Sequence, residues 1–337
     1  MSLDLTTPLL AVSTACHLSA RAAAERDQVA GILKDDRSPV TVADLAVQVA
    51  ITAILRHGNA PHADRIVGEE GGDSLRGEDG ALMMEELISR VGDALSRNGL
   101  SAAAPTTPDA VFECLDAGGL DPQAEGRTSF WCLDPIDGTK GFLRGGQFAI
   151  ALAYVHEGQP TLGMLGCPHL PLGVVEDYGV ADDTGSIYVG QLNGDDRVAH
   201  AGPATASSMD ELQVINASPT PPDGRVRVCL SYEKAHGDQD RTTAALEQTG
   251  VQTAPIRIDS QCKYAMVASG RADLYLRLAR EGYREKSWDH AAGAAVVRAA
   301  GGIAEDMTGK DLAFDGRLLD TTGGICVRTP GVNRPNL

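Results

Sequence analysis

The sequence predicts an α/β protein of two packed halves, and three observations predict it. From residue 225 onward strand-like and helix-like segments alternate, the pattern of an α/β layer. The 337 residues exceed what one hydrophobic core usually organises. The composition, 43% hydrophobic and 22% charged, is ordinary for a globular protein, and no apolar run approaches the roughly 18 residues of a membrane span.

Taken in order, residues 6–30 place small apolar groups at helical spacing, with an Ala-rich stretch from Arg21 to Arg26. Ser38-Pro39-Val40-Thr41 reads as an extended lead into a second helix over about 42–57. Its stripe is Val42, Leu45, Ala46, Val49, Ala53 and Ile54, and Gly58-Asn59 with Pro61 stops it. Arg65 to Gly68 is a short strand running into Glu69-Glu70-Gly71-Gly72. Residues 73–128 read as an insertion between two strands. Within it lie an amphipathic helix over 80–98 (Leu82, Met83, Leu87, Val91 and Leu95 on one side), a Pro/Thr linker, a short helix from Pro108 and a glycine-rich loop over 116–126.

The next strand, 128–133, delivers Asp134-Pro-Ile-Asp-Gly-Thr139. Residues 149–155 and 159–166 form a hairpin around Glu157-Gly158, and β-like pieces follow at 172–176 and 186–190. The Pro, Ser and Asp content of 200–224 marks a linker. Beyond it come strand 225–230, helix 238–249, strand 253–258, helix 260–269, strand 272–278 and an Ala-rich helix near 290–300. This divides the chain into halves 1–222 and 223–337.

Lys and Arg total 29 against 46 Asp and Glu, a formal charge of −17. Such a surface repels phosphate polymers, and 4% aromatics are too few for a base-stacking platform, so nucleic-acid polymers are not expected partners. The first residues carry Asp4 and no early Lys or Arg, unlike a secretory signal. Seven cysteines without a CxxC pair fit a reducing cytoplasm with buried thiols, not a disulfide scaffold or zinc site.

Asp134-Pro-Ile-Asp137 is the informative object. Pro135 stiffens the backbone, and two carboxylates plus the Ile136 carbonyl offer hard oxygen ligands. Gly138 and Thr139 follow where a helix start would aim N–H groups at a phosphate. Asp44, Glu69, Glu70 and Asp289 add acidic stations at helix starts or strand ends. Taken singly, each also fits a plainer role: a surface turn at 134–138, a Thr-x-x-Asp cap at Asp44, a charged loop at Glu69-Glu70, an N-cap at Asp289. Together, without His or Cys, they suit Mg²⁺ or Mn²⁺. Asp306-Met-Thr-Gly-Lys reads as a turn between two strands, and no P-loop is present.

The combination of Gly68-Glu69-Glu70, Asp134-Pro-Ile-Asp-Gly-Thr139 and Trp288-Asp289-x-Ala-x-Gly293 resembles the lithium-sensitive inositol monophosphatase superfamily, across nearly the whole chain. The resemblance implies a layered α-β-α-β-α fold with a metal site between its halves. Ser38-Pro-Val-Thr-Val-Ala-Asp44, the longer motif running to Arg144-Gly-Gly-Gln147, the 73–128 insertion, and the segments 258–264, 274–277 and 282–289 are similar to its 3′(2′),5′-bisphosphate nucleotidase branch.

That branch hydrolyses the 3′-phosphate of adenosine 3′,5′-bisphosphate to AMP and phosphate, and the resemblance extends the expected substrates to its 5′-phosphosulfate relative. By resemblance, Glu69, Asp134 and the Ile136 carbonyl hold a first Mg²⁺, and Asp134, Asp137 and Asp289 a second. A third, weaker ion joins Asp44 and Thr139 at the attacking water, and Glu70 stands behind the ligands. His236, Ser260, Lys263 and Arg277 bind the nucleotide, although Gly237-Asp238 departs from the branch's Ser-rich continuation after His236. Two other functions stay open at this point: an inositol phosphate phosphatase on the same scaffold, and a non-catalytic nucleotide sensor. The oligomeric state is not legible.

Overall fold

The protein is described from a computed structural model over residues 3–29, 39–76, 80–218, 224–232, 242, 244, 246–247, 252–280 and 282–335. Helices α1 (Thr6–Val29) and α2 (Pro39–His57) precede β1 (Ile66–Gly68). Helices α3 (Gly80–Arg97) and α4 (Pro108–Asp116) separate β1 from β2 (Ser129–Asp137). Then come α5 (Thr139–Arg144), β3 (Ala149–His156), β4 (Gln159–Cys167), β5 (Ser186–Asn193), β6 (Asp196–Pro203) and β7 (Gln213–Ile215). The remainder contains β8 (Val226–Leu230), β9 (Thr253–Arg257), α6 (Cys262–Ala268), β10 (Leu274–Leu278), α7 (Ala291–Ala299), β11 (Ile303–Asp306) and β12 (Gly324–Arg328).

The first sheet runs β1 to β7 in chain order, parallel only between β1 and β2. The second has the order β11-β12-β10-β8-β9. Alternation along β2 separates two cores. Trp131 and Leu133 face α1, α2 and α3, whereas Phe130 and Cys132 face α6 and α7 between the sheets. Leu246 packs with Val228, Leu274 and Cys326 on the second sheet's outer face. The layer order is therefore α-β-α-β-α.

Several sequence expectations need correcting. Helix α2 starts at Pro39, not near 42, because proline fits the first helical turn where no N–H partner is needed. Asp44 therefore lies inside α2 and is no cap. Leu82 is 63% exposed; the buried stripe of α3 passes through Met83, Met84, Leu87, Val91 and Leu95. Residues 172–176 form no strand: Val174 is 81% exposed beside Gly173 and finds no ladder partner. The supposed linker at 200–224 contains the end of β6 and all of β7, the former folded back from β5 through the two-residue turn Gly194-Asp195, with Gly194 at φ +64°. Helix 238–249 lies mostly outside the described residues.

Candidate active site

Asp134 continues the inner face of β2 set by Phe130 and Cys132, so its carboxylate enters the space between the two sheets. On a regular strand Asp137, three positions on, would point the opposite way. The ladder instead steps from Asp134↔Ala151 to Asp137↔Ala149, with one extra residue on β2. This bulge resets the alternation and brings both carboxylates into one cavity. The motif is thus the bulged end of the strand and not a turn beyond it. Gly138 then caps α5 at φ 90°, and a Cβ there would lie 2.8 Å from Ser260 Cβ.

The parallel pairing of Gly68 with Leu133 sets Glu69 beside Asp134, and the Glu69 N–H donates to the Leu133 carbonyl at 3.3 Å. Behind it, Gln48 of α2 accepts from the Glu70 N–H (3.2 Å) and donates to the Glu70 carbonyl (2.7 Å). Asp44 lies one helical turn before Gln48 and is 5% exposed. Arg317 donates to the Gly68 carbonyl at 2.8 Å and lies over Trp288 at 4.8 Å.

From the residue before α6, the Gln261 N–H donates to Asp137. The Gln261 amide donates to the Trp288 carbonyl (2.9 Å) and accepts from the Gly293 N–H (3.0 Å). One residue thereby joins the second acidic motif, through its backbone N–H, to the third, through its side chain. Ser260, at φ +62°, turns the chain into α6 and lets Lys263 Nζ reach its carbonyl at 3.2 Å. Lys263 is 5% exposed, 5.2 Å over the Tyr275 ring. Arg277 pairs with Glu285 at 2.7 Å and with Asp289 at 3.6 Å. Arg144 of α5 bonds Asp259, just past β9, and lies 4.9 Å over Tyr232.

The cavity measures about 410 Å³. Glu69, Asp134, Ile136, Asp137 and Asp289 line it together with Gly138, Thr139, Ser260, Lys263 and Arg277. Asp44 and Glu70 are not among the lining residues and sit one layer behind. His236 lies outside the described residues. Gln48, Gln261 and Arg317 were not singled out from sequence. Only Gln48 left a trace there, as a polar residue inside the apolar face of α2 four positions after Asp44.

The electrostatics are those of crowded negative charge that Lys263 and Arg277 offset only in part. Burial pushes Asp134 well above the usual carboxylate range, and Glu69, Asp137, Asp289 and Asp44 add to it. Burial and Asp137 push Asp289 up to about 8, against the pull of Arg277. Burial and Glu69 push Glu70 up to about 7. Burial and the paired glutamates raise Asp44 strongly. Burial also raises Asp137, with Lys263 and the Gln261 N–H opposing. Glu69 is raised by loss of water and by Asp137, while a hydrogen bond with Asp134 opposes. Asp134 Oδ1 is buried with no hydrogen-bond partner. A partnerless buried oxygen among mutually repelling carboxylates fits a hard divalent cation.

The chain matches the inositol monophosphatase family over residues 9–336. It is 39% identical over 308 residues to a 3′(2′),5′-bisphosphate nucleotidase of Oryza sativa, covering 87% of this chain and 80% of the relative. It is 37% identical to one from Emericella nidulans, covering 87% and 85%. It is 34% identical to the 3′,5′-bisphosphate nucleotidase 2 of Arabidopsis thaliana, covering 88% and 84%. Among solved structures, CysQ from Bacteroides thetaiotaomicron shares the fold with a TM-score of 0.63 at 20% identity, over 96% of both chains. Mycobacterium tuberculosis SuhB shares it with a TM-score of 0.53 at 18% identity, over 96% and 90%.

Proposed function

The chain belongs to the inositol monophosphatase family, and from that premise we propose that it is a 3′(2′),5′-bisphosphate nucleotidase, hydrolysing adenosine 3′,5′-bisphosphate to AMP and phosphate. The 5′-phosphosulfate relative is a second substrate, and the cellular role is removal of a by-product of sulfotransfer. The observation that carries this reading is the single cavity in which the carboxylate set faces Lys263 and Arg277. A monophosphate needs only the carboxylate-bound cations. A second phosphate gives Lys263 and Arg277 an anion to bind beyond the contacts they already make within the protein.

In this reading Glu69, Asp134 and the Ile136 carbonyl hold one Mg²⁺, and Asp134, Asp137 and Asp289 another, with two to three ions in all and Mn²⁺ accepted. Bound divalent cations supply an activated water and neutralise phosphate charge. Asp44, whose proton affinity is raised, takes the proton from the attacking water through the Thr139 hydroxyl. The Gly138 and Thr139 N–H groups face the 3′-phosphate. Ser260, Lys263 and Arg277 hold the nucleotide, and the reading assigns His236 to the same task. Glu70, anchored by Gln48, backs Asp44. The cavity lies between the proposed halves 1–222 and 223–337, and 73–128 is an insertion into the first.

Among the described residues no helix is long and apolar enough to cross a membrane. Seven free, buried cysteines support a reducing, cytoplasmic setting. The test is to compare rates on adenosine 3′,5′-bisphosphate and inositol 1-phosphate side by side. The reading expects a clear preference for the nucleotide. A preference for the inositol ester would move the chain to the family's other activity. Tight nucleotide binding with no phosphate release would make it a sensor.

A further inference from the structure

From Tyr264 in the cavity wall to Glu285 and His290 behind it runs a chain of buried polar groups to which the reading above gives no task. Glu285 pairs with Arg277 at 2.7 Å, and its Oε2 lies 3.2 Å from His290 Nε2. His290 Nδ1 meets the Tyr264 hydroxyl at 2.7 Å. A carboxylate only accepts, so in the neutral ring the proton sits on Nε2, and Nδ1 accepts from the Tyr264 O–H. Both ring nitrogens are then satisfied. Tyr264, Glu285 and His290 are 1%, 5% and 0% exposed. The seat of Tyr264 depends on Gly293, where a Cβ would fall 2.3 Å from the ring.

Glu285, Asp289 and His290 lie close enough, within 4.8 Å, to suggest a metal site of their own. The Arg277 cation beside Glu285 and the hydroxyl on Nδ1 argue against that, because these groups already satisfy one another. Arg277 has two carboxylates in reach, and the distances are unequal: 2.7 Å to Glu285 and 3.6 Å to Asp289.

We propose that Glu285 is a positioning residue that draws the Arg277 guanidinium toward itself and keeps its pair with Asp289 loose, leaving Asp289 to the cation and Arg277 to the substrate's second phosphate. Tyr264 and His290 act one step further back, by fixing the Glu285 carboxylate. The inference rests on the bisphosphate reading of the cavity. Without Glu285 the nearest anion to Arg277 is Asp289, and an ion pair there competes with the cation and the phosphate together.

Glu285→Gln removes the charge and keeps the shape. The KM for adenosine 3′,5′-bisphosphate is expected to rise about tenfold, the equivalent of one charge-assisted hydrogen bond. Mn²⁺ binding to substrate-free protein, followed by electron paramagnetic resonance, weakens in parallel. In an Arg277→Met background the same change adds little, because the two residues act as a unit. Tyr264→Phe, which removes one hydroxyl, moves both readouts the same way by about threefold, and it serves if Glu285→Gln does not fold. Additive losses in the double variant, or an unchanged KM and Mn²⁺ affinity in a folded single variant, would overturn the positioning role. The functional reading fails separately: wild-type protein that handles adenosine 3′-phosphate as well as the 3′,5′-bisphosphate has no second-phosphate site, while the Mn²⁺ measurement still judges Glu285.

Discussion

Gln48 grips Glu70 through both backbone groups, its amide donating to the Glu70 carbonyl at 2.7 Å and its carbonyl accepting from the Glu70 N–H at 3.2 Å. One turn earlier on α2 stands Asp44, so one helix sets the proposed base and the paired glutamates relative to each other. Gln48→Met keeps the volume and leaves two backbone groups unpaired. We expect divalent-ion affinity or kcat/KM to drop about 10- to 100-fold, as for outer-shell partners of metal ligands. Calorimetric metal titration and steady-state kinetics check this.

Asp44→Asn tests the base itself. The side chain is buried and does not line the cavity, so nucleotide binding should survive. The expected loss is in kcat, about 10²- to 10⁴-fold, with KM nearly unchanged. A variant that loses affinity while keeping kcat would assign Asp44 to binding instead.

Asp134→Asn separates activity from stability. Asp134 is buried among four other carboxylates, and its Oδ1 has no partner. Removing that charge should abolish turnover and raise the melting temperature of the metal-free protein, a trade typical of strained catalytic sites. A metal-free variant that melts lower than wild type would show the carboxylate cluster to be a stabilising network.

The pH dependence of stability follows from the same groups. Asp289 and Glu70 are raised to about 8 and about 7 in the folded chain, while unfolded carboxylates titrate near about 4. Between these values the folded state holds protons that the unfolded state has released, so ΔG of unfolding falls as pH rises. The metal-free protein should therefore lose stability from about pH 4 to pH 8. Saturating Mg²⁺ should offset the loss, most strongly at the alkaline end, where no proton competes for the ligands. Denaturant titrations across that range, with Mg²⁺ and with a chelator, measure both effects.

The acidic motifs and the α/β alternation were legible because each is local: a strand ends, and a carboxylate follows within a few residues. How Asp134 and Asp137 come to share a cavity was not legible, since it depends on a one-residue bulge against β3 that neither side chain announces. The placing of Asp289 beside them is a contact across more than 150 positions, and it was reached through resemblance alone. Gln261 and Arg317 act on backbone carbonyls and N–H groups, which leave no side-chain partner to read. Composition misjudged 200–224, where Ser, Pro and Asp conceal the end of β6 and all of β7. It also misjudged 172–176, where apolar residues lie on the surface.

The central claim is that the carboxylate cavity removes the 3′-phosphate of a nucleoside 3′,5′-bisphosphate with the help of a divalent cation. The most direct measurement is phosphate release from adenosine 3′,5′-bisphosphate, with the nucleotide product identified, in Mg²⁺ and after chelation. The account predicts AMP and one equivalent of phosphate in Mg²⁺, and neither after chelation. Release that is indifferent to Mg²⁺, or adenosine 3′-phosphate as the product, would contradict it.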